Sequence, residues 1–142
     1  IRVTSPFLQV FFNIRDLPYI AVLDEDNNFY GILTHSRLLD MLADAWSIKV
    51  GSYVLTIVSP AERGDLYKMS KIISKYVSIS GCITLDANRG ESVRRTLFTL
   101  PAGVSEELMW TIVEKLEKKD FVVSEIEDLQ TSTALRTDDN RN

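Results

Sequence analysis

The stretch Ser52–Leu66, SYVLTIVSPAERGDL, decides the fold. It reads as a short apolar strand over Tyr53–Val58, a turn containing Pro60 and Gly64, and the start of an amphipathic helix. The helix runs from about Asp65 to Tyr76, because Leu66, Met69, Ile73 and Tyr76 fall on one stripe at helical spacing. Ile79, Gly81, Ile83 and Leu85 then alternate with Ser80, Cys82, Thr84 and Asp86, the period of a half-buried strand. On that pattern Cys82 falls on the more polar side of the sheet. Ala87–Glu91 holds Asn88 and Gly90 and reads as a hairpin connection, and Val93–Leu100 as the third strand, stopped by Pro101 and Gly103.

Ser105 is placed to cap a last helix. Glu106 and Glu107 stand in its first turn and Lys115, Lys118 and Lys119 towards its end, an order that complements the helix dipole. Leu108, Ile112 and Leu116 form its apolar stripe, and Phe121–Ile126 supplies a fourth strand. Gln130–Asn142 has almost no apolar content and is expected to be disordered. The order βαββαβ predicts one four-stranded antiparallel sheet with two helices on one face, a ferredoxin-like arrangement in an α+β protein. Its other face needs a cover, softened for solvent by Thr56, Thr84 and Thr99.

Upstream the pattern changes. Ser5 and Pro6 suit an N-cap and first helical position, followed by Phe7, Leu8, Val10, Phe11 and Ile14 at helical spacing. Tyr19–Leu23 and Phe29–Leu33 are β-rich runs around the polar turn Asp24–Asn28. Thr34 or Ser36 caps a further helix carrying Leu38, Leu39, Leu42 and Ala45. The chain thus divides into residues 1–49, a domain over 50–129 and a tail over 130–142. The first piece has too few residues to cover its own apolar faces and should pack on another copy or another domain. A chain beginning at Ile1 reads as part of something longer.

Composition narrows the function. Sixteen basic and twenty acidic residues give a net charge of −4, which offers no general attraction for nucleic acid or acidic lipid. One cysteine allows neither an intrachain disulfide nor a thiolate metal cluster and fits a reducing, cytoplasmic setting. No apolar run approaches the ~20 residues of a membrane span. His35 is the only histidine, and its neighbours Thr34 and Ser36 cannot face it in triad geometry. Asp24, Glu25 and Asp26 lack calcium-loop spacing. Neither a cofactor nor a metal is expected, and an enzyme is the least favoured class.

Two resemblances sharpen this. Asp16-Leu17-Pro18 through Val22-Leu23-Asp24, then Asn28-Phe29-Tyr30-Gly31-Ile32-Leu33-Thr34, resembles the C-terminal half of a CBS domain, over roughly the first 46 residues. That family occurs as tandem pairs that bind adenosine nucleotides between repeats. The resemblance implies ligand contacts at Thr34, His35 and Ser36. Arg37 stands where the family usually has an aspartate that holds ribose hydroxyls. An arginine donates where that carboxylate accepts, so it would favour a ligand with a phosphate there, such as a cyclic dinucleotide.

Residues 50 to 129 resemble an ACT domain. Ser59, Pro60, Gly64, Asp65 and Leu66 echo that family's turn into its first helix, with the proline and glycine separated rather than adjacent. The resemblance implies a regulatory module, with an amino-acid site near Gly64 and Asp65 at a dimer interface. The expected protein is therefore a non-enzymatic sensor of a small metabolite and a homodimer. The alternative is a ligand-free oligomerisation scaffold.

Overall fold

The computed structural model describes residues 1–86 and 93–137. The expected hairpin connection at 87–91 and the tail beyond 137 lie outside the described residues. The architecture is α+β, with helices and two antiparallel sheets, and it divides into two compact units, Ile1–Ala43 and Asp44–Asn142.

The first unit contains α1 (Phe7–Ile14), β1 (Tyr19–Leu23), β2 (Phe29–Thr34) and most of α2 (His35–Ala45). β1 and β2 pair antiparallel from Tyr19↔Thr34, with a bulge at Val22/Leu23. Their turn is closed by the Asp24 carboxylate, which accepts from the amides of Asp26 at 2.9 Å and Asn28 at 2.8 Å. Asn27 takes the left-handed conformation there, which asparagine tolerates. α1 begins one residue later than its sequence suggests: Pro6 is the N-cap, with ψ 136 and no side-chain cap bond. Ser5 does not cap it, because residues 1–3 run beside β1, bonding Val3 N–H to Leu23 and Leu23 N–H to Ile1. The Ser5 hydroxyl is drawn back to accept from the Arg2 amide at 2.9 Å.

The core of this unit is Val10, Ile14, Ile20 and Leu38. Four buried side chains at ~1.5–3 kcal/mol each are a thin return against the entropy of ordering some forty residues. Around them Phe12 is 80% exposed, Tyr30 71% and Phe29 69%.

The second unit runs β3 (Tyr53–Ser59), α3 (Asp65–Ser74), β4 (Gly81–Asp86), β5 (Arg94–Thr99), α4 (Glu106–Glu117), β6 (Val122–Asp128) and β7 (Thr133–Arg136). Its strand order is β4-β5-β3-β6-β7. Leu55 and Ile57 of β3, Phe98 of β5, and Val123 and Ile126 of β6 are fully buried against Met69 and Ile73 of α3 and Met109, Ile112 and Leu116 of α4. Among the described residues, fourteen are buried in this core. Thr56↔Glu125 is followed by Ile57↔Val123, so Ser124 is an extra residue in β6. Its hydroxyl donates to the Thr56 carbonyl at 3.3 Å. The Ser105 hydroxyl caps α4, accepting from Leu108 N–H at 3.2 Å.

Three features depart from expectation. First, β4 is turned over. Cys82 pairs with Phe98 and Thr84 with Thr96, which puts both on the helix side, at the sheet margin where Cys82 remains exposed. Ile83 and Leu85, opposite Leu97 and Arg95, project from the other face. Thr84 therefore does not soften that face, although Thr56 and Thr99 do lie on it.

Second, that face is partly covered from within the same unit. Trp46, Ile48 and Leu129 join Val54, Ile83 and Leu97 around a hollow of ≈ 220 Å³. Two glycines let the covering segment approach. A Cβ on Gly81 would sit 2.7 Å from the Trp46 carbonyl oxygen, and one on Gly51 would sit 2.9 Å from that of Ser47. The second unit consequently starts at Asp44 rather than residue 50.

Third, residues 133–136 are not disordered. β7 pairs with β6 through Ile126↔Arg136, Glu127↔Ala134 and Asp128↔Thr133. Arg136 anchors it, with its guanidinium bonded to Glu117, to the Val123 carbonyl at 3.1 Å, and lying 5.3 Å from the Trp110 ring.

Candidate functional site

The residues expected to contact ligand fall at two places, one in each unit. At the first, β2 runs directly into α2. The Thr34 hydroxyl accepts from the Arg37 amide at 3.2 Å, so Thr34 rather than Ser36 is the cap of α2. His35 turns the other way: Nε2 lies 2.7 Å from the Ile14 carbonyl oxygen, the last of α1. A carbonyl only accepts, so Nε2 carries the proton and His35 ties α2 to the end of α1. Two of the four expected contacts are thus occupied by local structure. Ser36 and Arg37 have exposed side chains. Arg37 has no ion-pair or hydrogen-bond partner for its guanidinium among the described residues.

At the second place Gly64 is the N-cap of α3, with φ 91, a conformation open to glycine at no steric cost. Its neighbour Ala61 also has positive φ, at 60. Asp65 is buried, and its carboxylate accepts from the Glu62 amide at 3.0 Å while its own amide donates to the Glu62 carbonyl at 3.2 Å. The negative charge that suits a helix start is already supplied by the chain itself. A ligand carboxylate would meet Asp65 there as a like charge.

Asp24 closes its turn, and no group of three or more potential metal ligands occurs among the described residues. Burial pushes the Tyr53 phenol up, with Asp128 and Glu106 adding to it. Desolvation likewise raises the Cys82 thiol. The hydrogen bond from Lys118, 3.1 Å away, holds the Glu114 carboxyl below its usual range.

One feature was not legible strand by strand. A hollow of ≈ 500 Å³ beside α3 is lined by Lys68, Lys71, Lys75 and Lys119, with Ile72 and Phe121. Its lysines come from segments more than forty residues apart, and only the packing of α3 on α4 collects them. A period-3.6 reading of α3 alone places Lys68, Lys71 and Lys75 on one stripe, which was the available signal.

A scan against protein-family models finds no match for this chain, and a search of curated proteins finds none either.

Proposed function

We propose that this chain is a non-enzymatic regulatory module, part CBS-like and part ACT-like, that binds a small metabolite and responds by changing its packing. The observation that carries the reading is the build of the second unit. Its elements run β3-α3-β4-β5-α4-β6, with strand order β4-β5-β3-β6 and both helices contributing to one buried core, the ferredoxin-like order that ACT domains share. The hairpin-then-helix build of the first unit supports its CBS-like half.

On this reading Arg37 and Ser36 are the residues that meet ligand. Thr34 and His35 hold the start of α2 in place behind them. Arg37 presents a charged, planar fork, so the ligand carries a phosphate at that position: an adenine nucleotide or, better, a cyclic dinucleotide. An amino acid near Gly64 and Asp65 is the weaker candidate, because Asp65 already occupies the turn. The module is cytoplasmic and works as a homodimer. No helix among the described residues is long and apolar enough to cross a membrane.

One observation favours the scaffold alternative. The first unit leaves Phe12, Tyr30, Phe29 and Leu8 largely exposed, more apolar surface than four buried side chains justify. A thermal-shift screen of adenine nucleotides, cyclic dinucleotides and amino acids on the 142-residue chain separates the two. A sensor shows a specific upward shift with one class, because a ligand that binds only the folded state stabilises it. A flat response across the screen favours the scaffold.

A further inference from the structure

The groove beside α3 carries a second, independent reading. Lys68, Lys71 and Lys75 follow one stripe of α3, and Lys115, Lys118 and Lys119 crowd the end of α4. A hollow of ≈ 500 Å³ has Lys68, Lys71, Lys75 and Lys119 around Ile72 and Phe121. An adjoining one of ≈ 360 Å³ shares Ile72, Lys75 and Lys119 with it and adds Lys115, Lys118 and Tyr76. Six of the sixteen basic residues of an acidic chain therefore border one cleft. Only Lys118 is in an ion pair, with Glu114; the other five make none among the described residues.

Ordinary helix electrostatics explains most of the individual placements. Cations at the end of α4 complement its dipole. Lys71 in the last turn of α3 and Lys75 at its C-cap are favoured in the same way, whereas Lys68 stands in the first turns, where the dipole disfavours a cation. Lys75 caps the end of α3 and Lys119 lies just past the end of α4, so Lys71 with Lys75 and Lys115 with Lys119 bring like charges together where the two helices end. The cluster costs stability in the free protein, and a bound polyanion would offset that cost.

We propose that this cleft is a binding site for a small molecule bearing several contiguous phosphates. The volume is that of a small-ligand pocket. The lysines surround a concavity, so charge converges on one point rather than tracking along a strand. Beyond the cleft the chain is strongly acidic, which repels a long polyanion that would have to run past the groove. Ile72 and Phe121 line the hollow and give apolar contact for whatever the phosphates are attached to. A nucleoside polyphosphate and an inorganic polyphosphate share the recognised chemistry. The site is in the second unit and does not depend on Arg37.

Calorimetry with inorganic tripolyphosphate on the full chain tests it, alongside orthophosphate, ATP, a twenty-nucleotide RNA and poly-glutamate. Saturable one-to-one binding of tripolyphosphate is expected, about tenfold or more tighter than orthophosphate, with affinity falling as salt rises from low to physiological. A further gain with ATP would place its base against Ile72 and Phe121; equal affinity would leave the phosphates as the whole of the recognised group. Lys71→Gln with Lys119→Gln should cost about tenfold, and Lys71→Arg with Lys119→Arg should restore binding. These side chains are exposed, and the salt series on the unaltered protein gives the same test without substitution. Affinity unchanged in the glutamine variant but lost in Arg37→Ala would overturn the assignment. So would absent binding, tighter binding of RNA, or equal binding of poly-glutamate.

Discussion

Replacing Gly81 by alanine probes how the second unit covers the open face of its sheet. An ideal Cβ at Gly81 would lie 2.7 Å from the carbonyl oxygen of Trp46, 3.0 Å from its carbonyl carbon and 3.1 Å from its Cα. All three are backbone atoms, so no side-chain rotation relieves the contact. Either the segment at Trp46 lifts by several tenths of an ångström or the edge strand β4 shifts. Overpacking of this kind costs ~1–3 kcal/mol. Alanine also reduces the freedom of the unfolded chain, which returns ~0.4–1 kcal/mol. The net expectation is a loss of about 1–2 kcal/mol. Urea unfolding followed by tryptophan emission suits the measurement, because Trp46 and Trp110 are the only two tryptophans and both belong to the second unit. A lower midpoint should come with red-shifted native emission, as Trp46 is lifted from the hollow that it lines with Val54 and Leu97. Unchanged or raised stability with unchanged emission would refute the account of how this face is closed.

Three further outcomes follow from named contacts. Ser105→Ala removes the acceptor for Leu108 N–H and should lower stability by ~1 kcal/mol in the same assay, with Ser105→Asp nearly neutral. Because desolvation raises the Cys82 thiol, less thiolate is present at any given pH. Alkylation by iodoacetamide should therefore be slower than for free cysteine near pH 8 and its rate should rise at higher pH, whereas a faster rate at pH 8 would contradict the assignment. Sedimentation at micromolar concentration should show a homodimer, given the exposed Phe12, Phe29 and Tyr30, and a monomer throughout that range would remove the dimer from the reading.

Much of the fold is written in short-range pattern. The alternation of Leu55 and Ile57 with Val54 and Thr56, the stripe Met69–Ile73 and the serine cap at Ser105 are each decided by a few neighbouring residues. Period-two alternation in β4 shows that Ile83 and Cys82 point oppositely but not which of them meets the helices. That depends on Trp46 and Ile48 folding back over the far face. β7 was invisible for a different reason: Thr133–Arg136 offers little to bury, and backbone pairing to β6 plus one arginine hold it.

The candidate site divides in the same way. A cap at Thr34 is a local feature. The bond from His35 to Ile14 spans twenty-one residues, so no local pattern reveals where that side chain goes. The lysine cleft needs α3 and α4 together, so reading either helix alone misses it.

The central claim is that a phosphorylated metabolite binds at the start of α2 and that Arg37 recognises it. Thr34 and His35 are engaged in holding the helix, which leaves the Arg37 guanidinium as the charged group on offer. Calorimetry of a cyclic dinucleotide against the unaltered chain and Arg37→Ala, at fixed salt, measures this directly. The account predicts saturable binding that weakens by ~1.5–3 kcal/mol in the variant, roughly ten- to a hundredfold, with Thr34 and His35 still holding the helix. Equal affinity in the two proteins would return Arg37 to an ordinary solvated helix face and contradict the claim.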